Sequence, residues 1–277
     1  MWFILPTFKP SGIRLDQIMP SLSLIPILIY REIVGRYRGS LLGILWSLIT
    51  PLCMLAVYTF AFGFIFQARW GGAEGAASTG SFSLNLFAGL IIFQFFSEVI
   101  NRAPLLILTN QNYVKKVIFP LEILAPVALG SALFHALISF IVLLVFIPFV
   151  FDGIPLTALM LPLVLVPLSL LILGLSWFLA SFGVYVRDVS QSLSTIVTAC
   201  LFLSPVFYPI TMLPEWARFW IRLNPITIPV EQSRNVLIQG IVPDLSIMAL
   251  YTLIAVAFAA FGYLWFQKTR KGFADVI

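Results

Sequence analysis

Six long stretches of this chain contain no charged side chain, and most positions inside them are apolar. The stretches of at least 23 residues without Lys, Arg, Asp or Glu are 39–68, 75–97, 123–151, 153–186, 189–214 and 245–267. About 20 helical residues, each rising about 1.5 Å, cross the hydrocarbon core of a bilayer, which is about 30 Å thick. The pattern therefore predicts an all-α integral membrane protein with six transmembrane helices.

The simplest organisation is one domain over residues 1–277. We place the spans at about 41–66, 84–101, 121–150, 156–184, 190–207 and 245–266. Residues 1–40 are too polar to cross, yet Ile29, Ile33 and Tyr37 share one helical face opposite Arg36. This spacing predicts an N-terminal amphipathic helix at the membrane interface.

The region between spans five and six, residues 208–244, is apolar but too rich in proline for one continuous helix. Within it Trp216, Phe219, Trp220 and Leu223 recur at i, i+3, i+4 and i+7. We predict a short amphipathic helix that is re-entrant or lies at the outer surface. Its rings admit two interpretations that stay open here: an interfacial aromatic belt, or the lining of a conduit in which rings slide along sugar faces.

Composition excludes a soluble protein. With 61% hydrophobic residues, 10% charged residues and a mean hydropathy of +1.05, the chain has more apolar side chains than the core of a soluble domain can bury. The net charge of +5 reflects topology, since twelve of the 16 basic residues fall on the side that holds both predicted termini. That side carries Lys9, Arg14, Arg31, Arg36, Arg38, Arg102, Lys115, Lys116, Arg187, Lys268, Arg270 and Lys271. The distribution predicts cytoplasmic termini and does not fit a nucleic-acid-binding face.

Candidate chemistry inside the chain is sparse. No Gly-x-x-x-x-Gly-Lys-Ser/Thr phosphate loop is present, so energy for active transport would have to enter through another protein. No catalytic constellation or metal-ligand cluster is evident, which argues against an enzyme. The only ionisable residues in or near the spans that could couple ions are His135, Glu98 and Glu122.

We interpret these ionisable residues as structural. Glu98 stands four residues before Arg102, which favours an ion pair, and Glu32 has the same spacing to Arg36. His135 has no acidic neighbour in sequence and is predicted to make a helix–helix hydrogen bond. The two cysteines, at positions 53 and 200, are predicted to pack as small apolar side chains.

Six sequence blocks resemble one family. They are Arg36–Trp46 with Pro51 and Leu52, Lys115–Glu122, Tyr185–Asp188, Ser204–Pro209, Asn224–Thr227 and Gly272–Val276. In this order and at this spacing they are similar to the membrane subunit of type-2 ABC exporters for cell-surface polysaccharides. The resemblance spans some 240 residues, which makes it far more specific than any one block.

The resemblance implies a homodimeric permease in the bacterial inner membrane that exports lipid-linked O-antigen, capsule or teichoic-acid chains. A separate cytoplasmic ABC ATPase would bind the ATP and Mg²⁺, and this chain would bind no cofactor. By similarity, the ATPase-coupling residues are Thr109, Asn110, Asn112, Tyr113, Lys115 and Lys116. The lipid head-group and interface residues are Arg31, Arg36 and Arg38, and the glycan channel or outer gate contains Tyr208, Trp216, Phe219 and Trp220.

Two other functions remain as alternatives. An ABC exporter of a drug or a small lipid would share the six-span plan, although the polysaccharide-like blocks argue against it. A non-transporting membrane scaffold would have no partner ATPase and no solvent path. The presence of a neighbouring ATPase gene would separate the scaffold from both exporters.

Overall fold

Helices make up the regular structure of this protein in a computed structural model that describes residues 15–66, 70, 79–115, 119–186 and 188–276. No β-strand occurs among those residues. The prediction of an all-α membrane protein is confirmed, because the uncharged stretches of the sequence fold mainly as long apolar helices.

The helices are numbered here in chain order. The first six are α1 Leu15–Tyr37, α2 Trp46–Tyr58, α3 Thr79–Arg102, α4 Gln111–Lys115, α5 Leu124–Phe146 and α6 Leu161–Tyr185. The others are α7 Val189–Phe202, α8 Glu215–Arg222, α9 Thr227–Arg234, α10 Leu245–Thr269 and α11 Phe273–Val276. Two of them continue as π-helical turns, α2 through Thr59–Ile65 and α9 through Asn235–Gln239.

Together with their flanking turns, five helical stretches of the described chain are long and apolar enough to cross a membrane. They are Gly43–Ile65, Gly80–Leu105, Leu121–Phe149, Leu156–Tyr185 and Leu245–Gly272. The fifth predicted span differs, since α7 has 14 residues and is therefore about 21 Å long. It ends at Phe202 rather than near Phe207, because Pro205 has no amide hydrogen and disfavours a helical residue before it.

The core forms around α3, which contacts α2, α5, α6, α7 and α9. In an 18-residue apolar stretch of its span 83% of the residues are buried inside the protein, against 17% and 22% in the corresponding stretches of Gly43–Ile65 and Leu245–Gly272. Cys53 lies on the exposed side of the apolar helix α2, and the half-buried Cys200 packs against the core as a small apolar side chain. The outward apolar faces of α2 and α10 are available to lipid or to another protein.

Helices α6 and α10 approach closely through two glycines. A Cβ on Gly174 would lie 2.6 Å from the backbone nitrogen of Ala259 on α10. A Cβ on Gly262 would lie 2.7 Å from the carbonyl carbon of Gly174. Small residues at such a crossing let the helix backbones approach closely, and the resulting van der Waals packing favours helix association inside a bilayer.

Contacts between remote segments divide the bundle into two ends. At one end, Arg31 of α1 meets Tyr113 of α4, and Tyr185 at the end of α6 donates to the Thr269 carbonyl at the end of α10. We call this the termini end, because it holds both α1 and α11. The opposite end holds α8, α9 and the start of α3, where Arg234 bonds to the Asn85 carbonyl.

Candidate functional site

The predicted coupling residues lie on a short polar segment at the termini end. Two 3-10 turns, Ala103–Leu105 and Leu108–Asn110, lead from α3 into α4. The Thr109 hydroxyl donates to the Leu105 carbonyl at 2.8 Å, and the Asn110 amide donates to the Leu106 carbonyl at 2.9 Å. These local bonds satisfy carbonyls that the broken helix would leave unpaired.

One side of this segment is buried and the other is exposed. Leu106 and Ile107 pack into an apolar cluster, while the side chains of Thr109 and Asn112 face outward. The side chain of Lys115 and all of Lys116 lie outside the described residues. The segment therefore presents a polar surface held in place by apolar side chains.

The predicted interface helix touches the predicted coupling segment directly. The Arg31 guanidinium donates to the Tyr113 hydroxyl at 2.8 Å, and the Tyr113 ring stacks on Phe119 with centroids 4.3 Å apart. A cavity of about 480 Å³ lies between α1, the end of α3 and this segment. Arg31, Arg102, Asn110 and Tyr113 line its polar side, and Leu28, Leu105 and Leu124 line its apolar side.

A network of charged groups fastens α1 to α3. Arg36 forms an ion pair with Glu98, and Arg102 donates to Glu32 at 2.6 Å. The predicted Glu98–Arg102 pair within α3 is present at 3.8 Å, whereas Glu32 pairs with Arg102 across the helices rather than with Arg36. Each carboxylate thus makes its closest ion pair with an arginine of the other helix.

The predicted helix–helix hydrogen bond of His135 is confirmed. Its Nδ1 lies 3.2 Å from an Arg36 guanidinium nitrogen, and its ring packs edge-on against Tyr37 with centroids 6.0 Å apart. Because a guanidinium can only donate, Nδ1 accepts this bond and the neutral ring carries its proton on Nε2. His135 thus helps to hold α1 on α5.

The three predicted head-group arginines have different surroundings. Arg31 lines the cavity and contacts Tyr113, and Arg36 is engaged by Glu98 and His135. Arg38 is exposed in the turn after α1, where Gly39 adopts a φ of 86° that favours glycine. Arg31 and Arg38 are therefore more accessible to an anion than Arg36.

Three of the resembling sequence blocks meet at the termini end, which sequence reasoning did not anticipate. Glu122 forms an ion pair with Arg270 at 2.9 Å, and its carbonyl accepts the indole hydrogen of Trp177. Phe273 is fully buried in the apolar cluster that includes Leu106 and Ile107, and its ring lies 6.1 Å from that of Tyr185. The chain end and the coupling segment therefore share one apolar core.

The predicted gate residues lie at the opposite end. Tyr208 donates to the Phe202 carbonyl at 3.3 Å. Trp216, Phe219 and Trp220 of α8 are 74%, 63% and 66% exposed. The rings thus form an outward aromatic face, and this exposure is compatible with either a membrane belt or a conduit lining.

Arg234 is the central buried residue that sequence reasoning missed. It is 3% exposed and donates to the carbonyls of Asn85, Pro205 and Val206 at 2.8, 2.5 and 2.6 Å. Burial lowers the pKa of Arg234 to about 9, so the guanidinium is still protonated at neutral pH. The sequence signal was an arginine close to several apolar residues. An arginine buried there would need hydrogen-bond partners, because buried arginines are rare unless they are paired.

The neighbours of Arg234 are shaped to receive it. Gly89 of α3 leaves the necessary room, because a Cβ there would lie 2.5 Å from a guanidinium nitrogen. Trp70 packs against the guanidinium with 4.4 Å from Cζ to the ring centroid. Arg234 therefore joins α9 to α3 and to the proline turn that follows α7.

The described residues contain no group of three His, Cys, Asp or Glu side chains able to hold a metal ion.

Comparison with known proteins identifies relatives along most of the chain. Residues 23–238 match the ABC-2 type transporter family. The chain is 27% identical over 258 residues to the O-antigen export system permease protein RfbA of Myxococcus xanthus, covering 90% of this chain and 94% of that protein. It is 22% identical over 256 residues to the protein of the same name from Klebsiella pneumoniae, covering 92% and 95%. It is also 26% identical over 235 residues to the polysialic acid transport protein KpsM of Escherichia coli, covering 82% and 87%.

Proposed function

Because the chain belongs to the ABC-2 type transporter family, we propose that it is the membrane-spanning permease subunit of an ATP-driven exporter of lipid-linked polysaccharide. The observation that carries the proposal is alignment over more than four-fifths of both chains with permeases named for O-antigen export and a protein named for polysialic acid transport. The proposed substrate is a class of polymer: O-antigen, capsule or teichoic acid on a lipid carrier.

The proposed location is the bacterial inner membrane, with both termini in the cytoplasm. The uneven distribution of basic residues supports this orientation, since arginine and lysine concentrate in cytoplasmic loops. We propose that two copies form the transporter, because six helices of one chain enclose too little space for a hydrated polymer. The exposed apolar faces of α2 and α10 are compatible with such pairing.

The proposed energy source is a cytoplasmic ABC ATPase that binds ATP and Mg²⁺, while this chain catalyses no reaction. The segment from Ala103 to Lys115 has the exposed polar face and apolar anchor that an ATPase contact would need. A displacement of α4 would be transmitted to α1 through the Arg31–Tyr113 hydrogen bond and to α3 through the short turns that precede α4. The Arg36–Glu98 and Arg102–Glu32 pairs would then move α1 and α3 together.

Asn112→Arg is expected to weaken the ATPase complex at least about tenfold, because a bulky cation on the exposed face of α4 disrupts close packing at an interface. The matched control is Gln191→Arg, which places the same side chain at an exposed position near the start of α7. Co-purification and ATP hydrolysis would be measured with a candidate neighbouring ATPase. Equal loss in both variants, or in neither, would contradict the coupling role.

We also propose that Arg31, Arg36 and Arg38 attract a phosphate-linked lipid head group at the cytoplasmic leaflet. The exposure of Arg38 and the cavity beside Arg31 support this role, since guanidinium groups bind phosphate well. For Arg36 the pairing with Glu98 favours a mainly structural part. Unchanged export after charge reversal of Arg31 and Arg36, with normal membrane insertion, would contradict the head-group role.

The aromatic face of α8 and Tyr208 are proposed as part of an outer gate for glycan. The rings are exposed, so they are accessible to a passing sugar chain. Normal export by a variant carrying Trp216→Ala and Trp220→Ala would assign these rings to the membrane belt instead.

A further inference from the structure

A second cavity, of about 310 Å³, lies at the opposite end of the bundle. Its walls come from the turn that follows α7, from α9 with its π-helical continuation, and from Trp70. The lining side chains are Trp70, Pro209, Ile210, Thr211, Glu231, Arg234, Asn235 and Gln239. Nothing in the coupling or head-group roles uses these residues.

The lining combines two kinds of surface. Trp70 offers a flat apolar ring, and Pro209 and Ile210 extend that apolar side. Thr211, Asn235 and Gln239 offer hydroxyl and amide groups that both donate and accept, and Glu231 offers a carboxylate acceptor. A fitting ligand is therefore a small molecule with an apolar face and several hydroxyl groups.

The electrostatics of the cavity disfavour a charged ligand. Arg234 is its only described cation, and the guanidinium already donates to three backbone carbonyls. Its positive charge also lies within reach of Glu231, which compensates it. An anion would meet the Glu231 carboxylate beside a guanidinium already engaged by three carbonyls, and a cation would meet Arg234, so an uncharged polar molecule fits best.

The walls are held in place before any ligand arrives. Arg234 fixes α9 to α3 and to the proline turn, and its contact with Trp70 orients the indole ring. Trp70 also packs edge-on against Phe82 of α3, with centroids 5.5 Å apart. A rigid wall loses little conformational entropy on binding, which favours small ligands with few contacts.

From this geometry we propose that the cavity is a saccharide-binding site that takes one neutral sugar ring, with Glu231, Asn235 and Gln239 bonding its hydroxyls and Trp70 packing on its apolar face. The volume lies at the small end of the range of about 300–1,000 Å³ typical of ligand pockets, which suits one ring rather than a folded oligosaccharide. The site deepens the proposed export function and rests on it. The site would bind one sugar unit of an exported glycan weakly and transiently beside the outer gate.

The test measures sugar binding on the full chain in nanodiscs, without the ATPase. Saturation-transfer difference NMR would probe glucose, galactose, mannose, rhamnose and N-acetylglucosamine one at a time. At least one is expected to bind the wild type, and Glu231→Gln is expected to weaken that binding about tenfold by removing a charged acceptor. The matched control is Glu215→Gln, an identical change at an exposed residue of α8, which should bind like the wild type.

Further arms keep the test decisive. If Glu231→Gln does not purify as folded protein, Gln239→Ala at the exposed rim replaces it and is expected to weaken binding severalfold. Inorganic phosphate is expected not to displace the sugar, because the Glu231 carboxylate repels it and Arg234 is engaged by three backbone carbonyls. Absence of binding by all five sugars, equal binding by both glutamate variants, or displacement by phosphate would overturn the proposal.

Failure of this site and failure of the export function give different results. A chain that exports glycan with its ATPase but binds no sugar here rejects the cavity and leaves the exporter intact. A chain that binds sugar as described yet moves no glycan rejects the export function and leaves a saccharide site to be explained.

Discussion

Gly262→Ala is expected to cost the protein about 3 kcal/mol or more of stability, because the new methyl group has no space. It would lie 2.7 Å from the carbonyl carbon and 3.0 Å from the Cα of Gly174. Overpacking usually costs about 1–3 kcal/mol, and backbone atoms cannot relieve it by rotating a side chain. The expected result is a large drop in the thermal unfolding midpoint and in the yield of monodisperse protein.

The matched control is Gly35→Ala on α1. A Cβ at Gly35 meets nothing within 4 Å, and alanine is favoured over glycine in a helix by about 0.5–1 kcal/mol. This variant is expected to be as stable as the wild type or slightly more so. An unchanged midpoint for Gly262→Ala would show that α6 and α10 do not pack through their backbones.

Arg234→Gln is expected to destabilise the opposite end of the bundle by several kcal/mol. The shorter amide can replace at most part of the guanidinium, so at least one of three buried carbonyls loses its donor. Each unsatisfied buried group costs about 1–3 kcal/mol. Arg234→Lys keeps the charge but not the planar fork, and is expected to lose nearly as much.

Arg222→Gln provides the comparison, because Arg222 is an exposed arginine on α8. A surface change of this kind usually alters stability by no more than about 0.5 kcal/mol. Thermal unfolding of the purified variants, followed through intrinsic tryptophan fluorescence, measures both. If Arg234→Lys matched the wild type, charge rather than the three directed bonds would hold α9 in place.

Hydropathy predicted much of the fold because a bilayer imposes length and polarity on each span independently of the others. The helix over residues 29–37 and the five long spans could be predicted from local sequence alone. The early end of α7 could also have been read from Pro205, but the apolar run continues past it and masked the boundary. Where two local signals disagreed, the proline determined the helix end.

The charge network could not be predicted in the same way. Local spacing pairs Glu98 with Arg102, and the structure keeps that pair at 3.8 Å. Local spacing also pairs Glu32 with Arg36, but the structure pairs Arg36 with Glu98 and Arg102 with Glu32. That choice depends on which faces of α1 and α3 meet, and a single sequence does not specify those faces. Arg234 shows the same limit, since its three acceptors come from Asn85, Pro205 and Val206.

The candidate coupling site was predictable in position and only partly in detail. Polar residues between two apolar runs marked residues 109–116 as a surface element. The bond from Arg31 to Tyr113 and the burial of Phe273 beneath the segment depend on tertiary packing. These contacts connect the proposed ATPase surface to both ends of the chain.

Transport into sealed vesicles tests the central claim most directly. The chain and a candidate ATPase would be reconstituted in proteoliposomes with lipid-linked glycan, and ATP would be supplied on the side that binds the ATPase. The account predicts ATP-dependent movement of glycan to the other side, lost with an ATPase unable to hydrolyse ATP and reduced by Asn112→Arg. A stable complex that hydrolyses ATP but leaves the glycan where it started would contradict polysaccharide export.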